Sequence, residues 1–295
     1  MANSALNKLV IIGVGLIGGS FALALRNAGL VKHIVGVGRS LQNMQCAVER
    51  GIIDEIATDM ASALHNTDLV FLAMPVGQTA DTMAQIAPHL HANTIITDAG
   101  STKQDVIAAA RHHLPLQNRH HFVPGHPIAG TEQSGAQAAQ ADLYHNKHVI
   151  LTPSPETSAD TVEQVSQLWL ACGAQVSIMP ADEHDQVLAA TSHLPHILAF
   201  TMMNYLNHST NHPENMLRFA GSGLRDFTRN AGSSPEMWRD ICLANREALL
   251  RQIDGYQNEL LALQEMLKNN EGGALEKAFT QARSVRDNWL KSKSS

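Results

Sequence analysis

The chain has 295 residues, 44% of them hydrophobic and 16% charged, with a formal net charge of −6. That length and apolar content can fill one large or two ordinary cores and exclude a disordered or fibrous chain, while the acidic balance argues against nucleic acid as a partner. Three scattered cysteines, Cys46, Cys172 and Cys242, fit neither a disulfide framework nor a zinc ribbon, so the expectation is a reduced, cytoplasmic protein with no metal. No apolar run reaches the roughly 18 residues needed to span a bilayer, so no membrane role is expected.

The first element is a β-rich run over Lys8–Gly13 that feeds Gly13-Val14-Gly15-Leu16-Ile17-Gly18 and then a helical segment, Leu16–Gly29. A GxGxxG between a strand and a helix at the chain start reads as a dinucleotide fingerprint. Gly13 permits the tight turn, Gly15 lets backbone approach a pyrophosphate, and Gly18 allows close helix–strand packing. The helix N-terminus then offers free N–H groups and partial positive charge to the phosphates. Leu16 and Ile17, inside the fingerprint, and Pro75, after the strand Asp68–Ala73, are counted with this site.

The second strand, His33–Val37, ends at Gly38-Arg39-Ser40. An acidic residue usually stands there to hold the ribose 2′-hydroxyl of NAD. Glycine in its place removes repulsion of a 2′-phosphate, and Arg39 can form charge-assisted bonds to one. Arg39 read simply as a solvated surface residue is the alternative. The expected cofactor is NADP or NAD, with NADP accepted and a candidate for the preferred one.

Further strands are expected at Asp68–Ala73, Thr94–Asp98, His121–Pro124, His148–Thr152 and Gln175–Met179, separated by helical stretches such as Gly77–His89, Lys103–His112 and Thr157–Cys172. This alternation implies an α/β fold, a Rossmann-type doubly wound and mainly parallel sheet with helices on both faces. Beyond Pro180-Ala181-Asp182 only helical patterning remains. The division expected is a dinucleotide-binding domain over 1–180 and an all-helical substrate-binding and dimerisation domain over 181–295. There Ser234-Pro235-Glu236 supplies an N-cap with Pro at the first helical position, opening a helix that runs to about Lys268. Leu249, Ile253, Tyr256, Leu260, Leu263 and Leu267 repeat at spacings of four and three along it. Thirty-odd helical residues extend roughly 50 Å, more than one small domain covers, so a homodimer through the helical domain is expected. A last helix follows from Ala274 to about Lys291.

Candidate chemistry lies beyond the carboxyl ends of strands. Thr97-Asp98-Ala99-Gly100-Ser101-Thr102-Lys103 closes one strand, and Val123-Pro124-Gly125-His126-Pro127 follows the next. Of sixteen histidines, His126 stands out through its setting of Gly, Pro and Glu132; a solvated loop histidine is the plain alternative. Asp98-Ala99-Gly100-Ser101, the run from His126 to Gly135, Thr191-Ser192-His193-Leu194-Pro195-His196 and Asp226-Phe227-Thr228-Arg229, together with the fingerprint, resemble the motifs of the prephenate, arogenate and cyclohexadienyl dehydrogenases in order and spacing.

That resemblance implies oxidative decarboxylation of prephenate to 4-hydroxyphenylpyruvate, a step of tyrosine biosynthesis, with hydride transfer to NAD(P). It makes His126 the base or hydrogen-bond acceptor on the ring hydroxyl, with Ser101 orienting it. Arg229 becomes the carboxylate clamp, where a guanidinium binds in bidentate fashion better than lysine; an Arg229–Asp226 surface pair is the plain reading. The resemblance further assigns His196, His193, His184, Thr131, Glu132, Asp226 and Trp238 to the substrate site, Glu132 as a gate and Trp238 as a wall. Glycine at position 38 departs from the NAD-type members. The rival readings are a β-hydroxyacid-type dehydrogenase, which typically uses a helix-borne lysine where the helical half before residue 268 offers none in a suggestive motif, and an NADP-binding regulatory protein without catalysis, against which Ser101 and His126 both stand.

Overall fold

A computed structural model gives the structure of residues 5–131, 133–209 and 212–293. In chain order the strands are β1 (Leu6–Ile12), β2 (Val31–Val37), β3 (Glu55–Ile56), β4 (Leu69–Leu72), β5 (Ile95–Asp98), β6 (Phe122–Val123), β7 (Gly125–Pro127), β8 (His148–Leu151) and β9 (Gln175–Ile178). The first six form one parallel sheet in the order β3-β2-β1-β4-β5-β6. This is the doubly wound dinucleotide-binding order, in which ligands bind beyond the carboxyl ends where the strand order reverses, here between β1 and β4. Alternate residues of the central strands enter two cores: Leu9, Ile11 and Phe71 on one face, Val10, Ile12, Val70 and Ile96 on the other. Because both faces are covered, these strands are continuously apolar rather than alternating. Each fully buried Leu, Ile or Phe among them contributes roughly 1.5–3 kcal/mol.

A second, three-stranded sheet has the order β7-β8-β9, with β7 antiparallel and β9 parallel to β8. The expectation of a loop around His126 is corrected: His126 lies on β7, opposite Ile150. Three residues that follow Pro124 and end on Pro127 carry no period, so pairing with β8 alone defines this strand.

The helices through the β-rich part are α1 (Leu16–Asn27), α2 (Leu41–Glu49), α3 (Met60–Leu64), α4 (Thr79–Ile86), α5 (Gln104–His113), α6 (Leu116–Arg119) and α7 (Ala159–Ala171). The helical remainder comprises α8 (Ala181–Leu188), α9 (Leu194–His208), α10 (Pro213–Leu217), α11 (Ser222–Phe227), α12 (Pro235–Ala244), α13 (Arg246–Lys268) and α14 (Gly272–Lys293). A π-helical segment, Ala189–His193, joins α8 to α9. It widens the turn just before Pro195, where a proline would otherwise clash with the preceding helical turn.

The single helix expected from Ser234 to Lys268 is broken at Asn245, whose backbone (φ −103, ψ 30) leaves the helical region. Its side chain is buried, and Nδ2 donates to the Asp185 carbonyl at 2.7 Å. A tertiary hydrogen bond therefore ends α12, a cause that no local pattern reveals. The chain resolves into two compact units, Met1–Arg246 and Glu247–Ser295. Within the second, Tyr256, Leu260 and Leu267 of the spaced stripe are exposed, as are Leu261, Phe279 and Val285.

Candidate active site

Two adjoining cavities open at the carboxyl ends of β1, β2 and β4. The first, about 670 Å³, is lined by Gly13, Gly15, Gly38, Arg39, Ser40 and Pro75, with Asn43 and Asp81 also in its wall. The second, about 410 Å³, is lined by Leu16, Ile17, Ser101, His126 and Thr131, with Ser234, Met237 and Ile241 among the opposing residues. Gly15, Pro75 and Gly135 belong to both walls, so one space passes into the other across the fingerprint loop.

The residues present fit a dinucleotide in the first cavity. Gly13 has φ +99 and lies so close to Ala73 that a Cβ would come within 2.6 Å of its backbone. A Cβ at Gly18 would meet the Gly13 carbonyl at 2.3 Å, so Gly18 seats α1 against the loop rather than facing a ligand. Around Gly15 nothing lies within 4 Å of a Cβ position. That open space stands before the N-terminus of α1, whose first turn has no side-chain cap, and uncapped N–H groups of this kind receive phosphate. At the end of β2, Gly38, Arg39 and Ser40 are exposed.

His126 is half-buried and lines the second cavity. Its Nδ1 lies 2.9 Å from His184 Nε2, and His184 Nδ1 lies 2.8 Å from Asp185 Oδ1. Asp185 also accepts from the backbone N–H of Lys103 (2.9 Å) and Gln104 (3.0 Å). Burial opposes its ionisation, yet the hydrogen bonds from His184 and these amides prevail and hold its carboxyl below the usual range. An ionised carboxylate only accepts, so His184 carries its proton on Nδ1. Burial, and secondarily the Lys103 ammonium, keep His184 neutral despite Asp185. Its Nε2 is then an acceptor, His126 donates from Nδ1, and the proton-free ring nitrogen of His126 is Nε2. Burial first, then the facing His184, Lys103 and His193, push the His126 imidazole well below its ordinary pKa. It is thus a neutral base with one fixed tautomer.

The β7 backbone is held from below. Lys103 and Asp98, both buried, pair at 2.5 Å. Lys103 Nζ donates to the Gly125 carbonyl at 2.8 Å, and Gly125 N–H donates to Asp98 Oδ1 at 3.0 Å. A residue adjacent to His126 is therefore tied to the end of β5.

Three further expected site residues, His196, Trp238 and Arg229, lie near one another. His196 stacks on Trp238, ring centroids 3.6 Å apart, and its Nδ1 lies 2.8 Å from the Ser192 carbonyl. Burial, and then the charge of Arg229, lower its pKa although the Ser192 carbonyl opposes them. Trp238 is buried with Val76 and Ile241, which do line the cavity. Arg229 opens a short 3-10 turn, Arg229–Gly232, and is exposed. Asp226 is exposed and lies 3.6 Å from Arg225.

Two histidines expected at the substrate lie elsewhere. His184 is wholly buried behind His126, and His193 is buried with its Nδ1 3.2 Å from Asn245 Nδ2; neither lines either of the two cavities. His193 and His196 both pack against Trp238, His193 edge-on with ring centroids 6.0 Å apart and His196 stacked, so the pair faces Trp238. Glu132 lies outside the described residues. The sequence reading missed Lys103 and Asn245 as supports and Ser234, Met237 and Ile241 as walls. The DAGSTK run carried a signal for Lys103, since a lysine five residues after a strand-end aspartate reaches back to it; the others are joined only by the fold.

A family model described as the prephenate dehydrogenase nucleotide-binding domain matches residues 21–178, and one described as the prephenate dehydrogenase dimerization domain matches 180–281. The chain is 37% identical over 286 residues to prephenate dehydrogenase of Bacillus subtilis, covering 97% of this chain and 76% of that protein. It is 34% identical to cyclohexadienyl dehydrogenase of Zymomonas mobilis, covering 94% of each. Among solved structures, prephenate dehydrogenase from Aquifex aeolicus in complex with hydroxyphenyl propionate and NAD+ superposes with a TM-score of 0.91 at 35% identity, covering 96% of this chain and 98% of that one. Synechocystis arogenate dehydrogenase follows at 0.81 and 28%, covering 96% and 99%. With a dinucleotide cradle joined to a tautomer-locked histidine, and likeness along nearly its whole length, the chain belongs to the prephenate dehydrogenase family of nicotinamide-dependent oxidoreductases.

Proposed function

We propose that the protein oxidatively decarboxylates prephenate to 4-hydroxyphenylpyruvate in tyrosine biosynthesis, with NAD(P) as acceptor. The observation that carries this reading is His126, held neutral with Nε2 free of its proton, in the wall of a cavity that opens directly into the dinucleotide cleft. The bound nicotinamide supplies a hydride acceptor for the ring carbon that bears the hydroxyl. His126 Nε2 takes the hydroxyl proton as that carbon becomes a carbonyl, and Ser101, in the same wall, orients the hydroxyl. The carboxylate on the opposite ring carbon leaves as carbon dioxide, and its bonding electrons pass through the ring to the oxygen. His126 returns its proton there, giving the phenol with no net proton released.

Prephenate carries two carboxylates, which an acidic protein must meet with local cations. Arg229 is the clamp for one of them, and Trp238 fixes the His196 ring that meets the side chain. Thr131 lines the mouth, while Asp226 and Glu132 act at its rim. His184 and His193 serve through His126 and Asn245 rather than by touching substrate. Arg39 and Ser40, with no carboxylate at position 38, receive a 2′-phosphate, so NADP is accepted along with NAD. The dinucleotide domain is 1–180 and the substrate and dimerisation domain 181–295, a division supported by the two family models. The apolar residues exposed on Glu247–Ser295 support a homodimer through the helical part.

Arogenate, in which an amino acid replaces the pyruvyl group, is the second reading, favoured by the likeness to an arogenate dehydrogenase. Each substrate, offered with NAD and with NADP, decides it. Equal amounts of 4-hydroxyphenylpyruvate, carbon dioxide and reduced dinucleotide from prephenate are the expected result. Tyrosine from arogenate alone would move the activity to the second reading, and no product from either would end both.

A further inference from the structure

Position 38 is glycine at the point where β2 delivers its last residue to the dinucleotide cleft, and the space beside it is already filled. A Cβ built on Gly38 would lie 2.5 Å from Met44 Sδ and 3.4 Å from Met44 Cγ. Two residues earlier, on the same face of β2, a Cβ on Gly36 would lie 2.6 Å from Met44 Cε and 2.7 Å from Ile53 Cδ1. The Met44 side chain therefore lies along the bare backbone of Gly36 and Gly38 and is 1% exposed.

Such a clash is trivial when the neighbour can swing aside, but here its helix is pinned. Asn43, one residue before Met44, donates from Nδ2 to the Val14 carbonyl at 2.7 Å and accepts from Ala136 N–H at 2.7 Å. Arg50, at the other end of α2, donates to the carbonyls of Ala136 and Ala139. Met44 is held on a helix fixed at both ends, and its thioether is closed in by Gly36 and Ile53.

We propose that Met44 is a specificity-determining residue for the dinucleotide, forming with Gly38 a two-residue lock that denies a ribose-binding carboxylate its place at the end of β2. The proposal rests on the reading that the adenosine ribose lies at Gly38-Arg39-Ser40. Under it, Gly38→Asp alone does not create an NAD site, because the new stem and the thioether compete for one volume. Met44→Val opens that volume selectively: it keeps a carbon at the Cγ position, where contact is ordinary, and removes Sδ and Cε.

The test uses the full chain with Gly38→Asp, Met44→Val and both together. It reads the unfolding temperature of the ligand-free proteins and the dissociation constants for NAD and NADP by direct titration, besides kcat/KM. Gly38→Asp alone is expected to melt lower and to weaken both dinucleotides. Adding Met44→Val should recover most of the melting temperature and shift the Kd ratio toward NAD by about tenfold relative to the single variant, equivalent to about 1.4 kcal/mol. A Gly38→Asp protein that melts like the parent and already reaches the NAD preference of the pair would overturn the lock. Should the aspartate variants fail to fold, Gly38→Ala, which adds only the Cβ, decides: a lowered melting temperature rescued by Met44→Val supports the lock, and an unchanged one refutes it. Arg39→Ala reports separately on the underlying reading. An unaltered NADP affinity there would remove the 2′-phosphate site, while the melting data on positions 38 and 44 would still judge the lock.

Discussion

Asp185→Asn alters one atom of the chain that sets the His126 tautomer and leaves its shape intact. In the parent, Asp185 Oδ1 accepts from both His184 Nδ1 and Lys103 N–H, and Oδ2 accepts from Gln104 N–H. An amide cannot satisfy all three. With its nitrogen toward Gln104, two donors face each other in a buried site, at a cost of about 1–3 kcal/mol. With its nitrogen toward His184, the amide faces the Lys103 N–H at a similar cost, but it donates to Nδ1, His184 moves its proton to Nε2, and His126 is made to accept on Nδ1. Nε2 of His126 then carries the proton and is no longer a base. General-base catalysis contributes about 10²–10⁴-fold, so molecules in the second arrangement are nearly inactive, and kcat for Asp185→Asn should fall by about several-fold or more, short of the full factor because molecules in the first arrangement keep the base. Reduced-dinucleotide formation under saturating substrate reads kcat, and direct titration reads the dinucleotide Kd, which should change little since Asp185 lines neither cavity. A folded Asp185→Asn protein with kcat near the parent value would refute the tautomer argument.

Other outcomes follow from the same geometry. Because His126 sits well below its ordinary 6.5, the acid limb of kcat/KM should lie below that value; a limb at or above it would mean that the base is another group. His193, depressed from 6.5 to about 4 by burial, binds a proton more readily unfolded than folded, so its contribution to stability is complete above 6.5 and declines as the pH falls toward 4. The loss is on the order of 3 kcal/mol once protonation is complete. Thermal unfolding from pH 7 to 4 should therefore be flatter for His193→Gln than for the parent, and parallel curves would remove His193 from the acid sensitivity. Arg229→Lys keeps the charge but loses the bidentate fork, so KM for prephenate should rise by about tenfold or more while kcat falls less, as expected for a contact worth roughly 1.5–3 kcal/mol. An unchanged KM would exclude Arg229 as the clamp.

The fold was legible where local pattern and global packing agree. The buried stretches of the central strands are apolar because both faces are covered, and GxGxxG marks the first crossover, so sheet, cleft and cofactor class follow from short stretches of sequence. What stayed hidden depends on contacts distant in sequence. His184 bonds to His126 across fifty-eight residues, and Asn245 ends α12 by reaching Asp185 across sixty; neither has a local signature. β7 is too short to have a period, and His193 is buried by contacts with Asn245 and Trp238 that lie far away in sequence. Met44 reads as an ordinary core residue of α2, and only the bare backbone of Gly36 and Gly38 beneath it gives it a second meaning.

The central claim is that His126, locked with Nε2 proton-free by His184 and Asp185, takes the proton of the substrate hydroxyl. His126→Asn retains a polar side chain on β7 and removes the base. Turnover of prephenate by this variant, measured beside its dinucleotide Kd, tests the claim most directly. A kcat lowered by about 10²–10⁴ with an unchanged Kd is the expected result, and a kcat within a few-fold of the parent would contradict the account.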